Sequence, residues 1–304
     1  MKLKPSMDRE AHSKVMVTSI GKIKFSRTTT ILTKYIRVLH FISWSGGKDS
    51  TASVILMKLH LHELVDSGDE VKILFSEVMF DKKNNISGHN PDIIKFMHKT
   101  AAIFESWGFS VEFLHSDKDY LDIFYHKLTR SPNPNRVGMT HGFVPSGKCA
   151  VKRDCKLKPI EKWKTAHNDI EKIEYVGIAV DEPARLESLH KSPNKKSLLE
   201  MYNFTEADAM ELCRKYDMLS PQYSLNNGKQ GRDGCWFCPN AKLCEHEAIY
   251  KTSPEAWEKY VSLESEPALA YPKWNCFSKE TLHQRDKLIK EGYYQYNFFE
   301  LNLL

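Results

Sequence analysis

Two stretches of this chain carry residue types that do chemistry. The first is Ser45-Gly46-Gly47-Lys48-Asp49-Ser50. Adjacent glycines let a backbone come close to a ligand. A lysine supplies a full positive charge, and two serines supply hydroxyl hydrogen bonds. The apolar run from Val38 to Trp44 reads as a short buried strand, and Thr51 to Leu61 reads as a helix. Strand, glycine turn and helix together leave the first N–H groups of the helix without an intrahelical partner, at its partly positive end, which suits a phosphate. The pattern is not the Walker loop, whose glycines stand further apart ahead of the lysine. The competing reading is an ordinary strand-to-helix turn rich in Gly and Lys.

The second stretch is Gly231 to Cys244, which holds Cys235, Cys238 and Cys244 at C-x2-C-x5-C spacing. A C-x2-C turn lets two sulfurs reach one ion, and the next cysteine can close on it. A fourth ligand must come from elsewhere, and Cys149 or Cys155 could supply it. Four thiolates suit a [4Fe–4S] cluster or a structural zinc, and ligand identity does not separate these. Buried, unligated cysteines are the third reading. Neighbouring Arg232, Lys152, Arg153 and Lys156 would offset thiolate charge and lower cysteine pKa values. Cys213, on an amphipathic helix, and Cys276 are expected to be packing residues.

These residues need elements to position them. The chain has 304 residues, 41% of them hydrophobic and 11% aromatic, which suffices for a packed core. Its 44 basic and 39 acidic residues leave a net charge of +5, compatible with an anionic ligand but not by itself a sign of nucleic-acid binding. Seven cysteines with no export signal argue against a disulfide framework. No run approaches the roughly 20 apolar residues of a membrane span. Met1 to Glu10 is too polar for a secretory signal, so the expectation is a cytoplasmic protein.

In chain order, residues 1–37 form a basic extension, read as a hairpin or a mobile arm. Strands are expected at 71–79, 109–114 and 174–180. Helices are expected from Asn90-Pro91 to Gly108, from Tyr120 to Leu128, from Lys156 to His167, from Thr205 to Tyr216, and from Ser253 and Ser278 onward. A long loop is expected from Ser131 to Lys148, facing substrate or mobile. The tail from Tyr293 is expected to pack onto the body. Alternating strands and helices predict an α/β fold, a doubly wound, mostly parallel sheet covered on both faces, with ligands at the carboxyl ends of its strands. The expected divisions are 1–37, a nucleotide-binding part over 38–195, and a helical, cysteine-containing part over 196–304.

The hexapeptide Ser45–Ser50 resembles the PP-loop of the adenine nucleotide alpha-hydrolase superfamily, whose members cut ATP between the α and β phosphates. With Val176-Gly177-Ile-Ala-Val-Asp181-Glu182-Pro-Ala-Arg185, Arg232 to Pro239, and Cys149 to Pro159, roughly residues 38–250 resemble its PAPS reductase-like family. The resemblance implies a nucleotide site made by the loop and by Gly177, Asp181, Glu182 and Arg185, with Glu77–Asp81 near the adenine and ribose. Carboxylates at a strand end can hold Mg²⁺ on a triphosphate, and an arginine can pair with phosphate. A helix N-terminus with a surface ion pair is the plainer reading of Asp181, Glu182 and Arg185. The chain lacks the E-C-G-x-H tail of the reductases themselves and keeps both Lys48 and Asp49. The resemblance therefore favours an ATP pyrophosphatase that adenylates a substrate for sulfur transfer, nearest in motif content to DNA phosphorothioation and thiolation enzymes. The implied catalytic residues are Lys48, Asp49, Asp181 and Arg185. The implied partners are ATP with Mg²⁺, a DNA or tRNA substrate and a sulfur-donor protein, with no membrane. The basic stretches Asn133–Lys148 and Lys191–Lys196 could face such a nucleic acid, although solvated charge accounts for each alone. Reduction of adenylylated sulfate and a non-catalytic nucleotide-binding regulator are the alternatives.

Overall fold

The apolar run from Val38 becomes the central strand of the sheet. In a computed structural model, which describes residues 38–145, 149–224 and 234–292, β1 spans Val38–Ser43 and is buried along its middle, as expected of a strand covered on both faces. The chain continues through α1 (Lys48–Leu59), α2 (Leu61–Leu64), β2 (Glu70–Glu77), β3 (Met79–Asp81), β4 (Ile86–Ser87), α3 (Pro91–Ser106), β5 (Ser110–His115), α4 (Tyr120–Phe124) and β6 (Thr140–Gly142). Then come α5 (Lys158–Ala166), β7 (Glu171–Tyr175), α6 (Pro183–His190), β8 (Lys195–Lys196), α7 (Leu198–Met201) and α8 (Glu206–Lys215). After the undescribed residues 225–233 follow α9 (Leu243–Thr252), α10 (Pro254–Ser262), β9 (Leu269–Tyr271) and α11 (Leu282–Lys290).

Five strands form one parallel sheet in the order β5-β2-β1-β7-β8, flanked by helices, so the expected α/β architecture is present. The chain runs outward from β1 through β2 to β5, then crosses to β7 on the other side. The order therefore reverses between β1 and β7, and the loops leaving those two strands open a crevice at the carboxyl end of the sheet. The phosphate-type turn leaves β1 there. No helix among the described residues is long and apolar enough to cross a membrane.

Local signals set several boundaries. Asn90 caps α3 by accepting a hydrogen bond from Asp92 N at 2.9 Å, with Pro91 in the first turn. Thr205 and Asp208 form a reciprocal capping box on α8. Helix α1 is buried from Val54 to Met57 and packs with α3 and α8 into one apolar core. A second core gathers Phe80, Tyr120, Trp236, Phe237, Trp257 and Tyr260.

Other boundaries depart from expectation. Helix α4 stops at Phe124 instead of Leu128, because residues 126–128 spend their backbone groups on 138–141: His141 N donates to His126 O at 2.7 Å and Leu128 N to Met139 O at 3.0 Å. The expected loop from Ser131 is largely structured, with a turn at Pro134–Arg136 and with β6 paired in parallel to β9. The strand expected at 174–180 leaves the sheet after Tyr175. A π-helical turn, Lys152–Leu157, precedes α5. Helix α9, starting among the cysteines, was not expected, and α11 starts at Leu282 with Thr281 as its cap. The hairpin or arm at 1–37 and the tail from Tyr293 lie outside the described residues.

Glu174 ties the β7 side together. Its carboxylate lies 2.8 Å from Lys164 Nζ and 3.3 Å from Lys195 Nζ, and accepts from Ser43 Oγ at 3.2 Å. Burial alone would raise its pKa, but the two ammonium groups outweigh burial and hold it below the ordinary carboxylate range. A depressed folded pKa means that this stabilisation is present above the unfolded value and is lost as pH falls through the folded one. Glu174→Gln should cost about 1–3 kcal/mol at neutral pH. It should also flatten the acid side of the stability curve, and thermal melts from neutral pH downward check this. A variant that loses stability on acidification as steeply as wild type would contradict the assignment.

Candidate functional site

The turn after β1 is braced from within. Ser50 Oγ accepts from Ser45 N at 3.1 Å and donates to Gly47 O at 3.1 Å. Trp44 Nε1 donates to Thr51 Oγ1 at 3.0 Å, fixing strand to helix. Gly46 has φ +83°, in the left-handed region, and a Cβ there would lie 2.3 Å from Met97 Sδ. Gly47 is the extended N-cap of α1 and offers no side-chain cap. Within the turn, Gly47 N donates to Ser45 Oγ at 3.4 Å. Lys48 N instead donates to the Tyr223 hydroxyl at 2.9 Å.

Lys48 is buried, with 7% of its surface exposed. Its Nζ lies 2.8 Å from Asp49 Oδ1 and 3.2 Å from Glu206 Oε2. Burial would lower the lysine pKa, but these carboxylates more than offset it and raise it, so the ammonium stays charged. Burial pushes the Asp49 pKa up; Lys48 opposes the shift, and the charges of Glu206 and Glu182 add to it. One ammonium thus faces several carboxylates at the mouth of the crevice, an excess of negative charge that suits a divalent cation.

The β7 loop closes the other side. A Cβ on Gly177 would lie 2.7 Å from Asp49 C and 2.7 Å from Ser50 N, both backbone atoms that cannot swing away. Gly177→Ala should therefore displace the turn, costing about 1–3 kcal/mol of stability through overpacking. If the turn holds phosphate, the variant should also bind pyrophosphate more weakly than wild type, read by calorimetry beside a thermal melt. Unchanged binding would mean that the loops do not need this close approach.

The remaining site residues are engaged locally. Asp181 is exposed and accepts from Glu206 N at 3.1 Å, so it helps to cap α8. Glu182, the N-cap residue of α6, accepts from Ala179 N at 3.2 Å and pairs with Arg185, whose side chain is half exposed. The structure thus joins Ser45–Ser50, Gly177 and Glu182 around α1, reaches Asp181 through Glu206, and leaves Arg185 in the surface ion pair of the plainer reading. Within Glu77–Asp81, Asp81 is tied to Asn84 at 2.7 Å and to Lys259. Of the basic stretches, Lys191 pairs with Glu187 at 3.2 Å and Lys195 with Glu174. Sequence reasoning missed Glu206 and Tyr223. The capping box placed Glu206 on the first turn of α8, but nothing local shows which helix that turn faces.

The cysteines divide. Cys155 lies in the second core, and Cys149 and Cys235 pack against it. Burial pushes the Cys235 thiol up to about 12, with the nearby thiols of Cys238, Cys149 and Cys155 adding and Lys156 opposing. Burial likewise raises Cys155 to about 12. These thiols need a cation before they can ionise at neutral pH. Among the described residues no three His, Cys, Asp or Glu side chains stand in a ready metal-binding arrangement. Three of these sulfurs, those of Cys149, Cys155 and Cys235, nonetheless lie in or against one apolar core, with Cys238 acting on Cys235, and such a donor set fits a thiophilic metal or cluster. Cys244 is the second residue of α9; burial raises its thiol, Glu245 adds to the shift, and Lys242 and backbone amides at the helix start oppose it. Cys213 is core, as expected, its Sγ donating to Lys48 O at 3.2 Å. Cys276 corrects an expectation: it is exposed and not packed, because it sits in a turn beyond Trp274, which takes the buried position itself.

No protein-family model and no curated protein matches the chain. Among solved structures, it is similar to the U34-tRNA thiolase NcsA from Methanococcus maripaludis with its [4Fe-4S] cluster. The two are 13% identical over 84% of this chain and 73% of that chain, with a TM-score of 0.40. At that distance the reading of the site stands on the geometry of this chain.

Proposed function

We propose that this protein binds ATP with Mg²⁺ at the turn Ser45–Ser50 and cleaves it between the α and β phosphates, adenylating an acceptor for sulfur transfer. One observation carries the reading: a buried, charged Lys48 stands at the N-terminus of a 12-residue helix, at the point where strand order reverses, with carboxylates gathered around it. The turn amides and Lys48 take the β and γ phosphates. Asp49, Glu182 and Glu206 supply oxygen ligands for the cation, with Asp181 in support. Arg185 exchanges Glu182 for a phosphate oxygen.

In the reaction, an acceptor oxygen attacks the α phosphorus and the bond from that phosphorus to the α–β bridging oxygen breaks. Pyrophosphate leaves with the electron pair. A sulfur nucleophile then displaces AMP from the adenylated acceptor. Catalysis is positioning together with stabilisation of charge on the departing pyrophosphate. Cys149, Cys155, Cys235 and Cys238 would hold a [4Fe–4S] cluster, or zinc in its place. When bound, the cluster supplies a site that carries or orients sulfur. DNA or tRNA is the acceptor class and a sulfur-donor protein the partner. On this reading the nucleotide site of 38–195 also draws Glu206 and Tyr223 from 196–304, and the cysteine site of 196–304 draws Cys149 and Cys155 from 38–195.

The test is product analysis. ATP incubated with the protein, sulfide and either tRNA or DNA should yield pyrophosphate and AMP with one of these acceptors. ADP with inorganic phosphate, or no turnover with any of them, would refute the reading.

A further inference from the structure

The turn that follows α8 carries polar groups that nothing among the described residues satisfies. Ser220 and Gln222 are 2% and 1% exposed, and Ser220 Oγ and both amide atoms of Gln222, Nε2 and Oε1, have no hydrogen-bond partner among those residues. An orphaned buried amide is costly, since it has given up water without a replacement. The location gives this meaning. Gln222 is followed by Tyr223, whose hydroxyl sits on Lys48 N at the start of α1. The turn Pro221–Ser224 packs on α3, and Met97 of α3 lies against Gly46. The turn that carries the unsatisfied groups therefore adjoins the turn Ser45–Ser50, through Tyr223 directly and through α3.

We propose that Gln222 reads the base of the bound nucleotide, accepting at Oε1 from the adenine amino group and donating from Nε2 to the adjacent ring nitrogen. A carboxamide holds one acceptor beside a donor, which matches that edge of adenine. Tyr223 marks the phosphate end of the same turn. Its oxygen accepts from Lys48 N, and its own proton turns to a phosphate oxygen once that oxygen takes the amide. The assignment rests on the nucleotide reading given above and adds the residue that selects the base.

The experiment measures binding of ATP, purine riboside triphosphate (which lacks the 6-amino group) and pyrophosphate by calorimetry, for the full chain and for Gln222→Met. Wild type should bind ATP about tenfold more tightly than the analogue, the worth of one good hydrogen bond. In the variant that preference should vanish, ATP should bind about 10- to 100-fold more weakly, and pyrophosphate should bind as before. The nucleotide-free variant should also melt about 2–4 °C higher, because the orphaned atoms are gone. ATP affinity within twofold of wild type, or a lower melting point with discrimination intact, would mean that the amide is a structural group and overturns the proposal. If the variant does not fold, equal affinity of wild type for ATP and its analogue overturns it equally. Wild type that binds none of the three ligands would bring down the phosphate site itself, and this with it.

Discussion

On the proposed reading, Lys48→Met should abolish most of the pyrophosphate release from ATP, with an expected fall in rate of about 10²- to 10³-fold. The reason is positional. The ammonium is buried at the first residue of α1 and held within 3.2 Å of both Asp49 and Glu206. It is therefore fixed, charged and only slightly hydrated before substrate arrives. Charge that builds on the leaving pyrophosphate meets a group that needs no reorganisation. Methionine keeps most of the stem and removes the charge. It also leaves Asp49 and Glu206 without their cation, so a melting curve must accompany the rate, and both are read with saturating ATP. A fall of less than threefold in a folded variant would remove the lysine from the reaction.

On the proposed ligand set, Cys235→Ser should strip the protein of metal. Anaerobically purified wild type should carry about four irons per chain with the broad visible absorbance of iron–thiolate clusters, and the variant should lose at least about tenfold in occupancy. Burial raises the free Cys235 thiol to about 12, with three neighbouring thiols adding to the shift. An anion there is tolerable only with a cation bound, and serine is a poor ligand for iron or zinc. Cys244→Ser should retain metal on the proposed ligand set, since Cys149, Cys155 and Cys235 lie in or against the second core and Cys244 is not among the residues packed there. Cys276→Ser should be silent, its side chain being exposed. Full occupancy in Cys235→Ser, or loss in Cys244→Ser, would redraw the ligand set. Zinc in place of iron would turn the site from sulfur chemistry to scaffolding.

The strand, the glycine turn and the helix at residues 38–59, the cap at Asn90, the capping box at Thr205, and the alternation that produces a parallel sheet were all fixed by the amino-acid order itself. Each depends on residues within a turn or two of one another, where propensity, capping and apolar periodicity act. Only packing decided the rest. Tyr223 lies 175 positions beyond the lysine whose amide it holds, and Glu206 reaches Lys48 because α8 lies against α1. Residues 126–128 could have extended α4 and instead pair with β6, while β6 itself pairs with β9 far down the chain. Such contacts depend on which surfaces meet once the apolar faces are buried, and a short window of sequence holds no record of its distant neighbour. The cysteine spacing suggested a ligand set, but the packing of Cys149, Cys155 and Cys235 in or against the second core, and the exposure of Cys276, came from where the chain was led by that core.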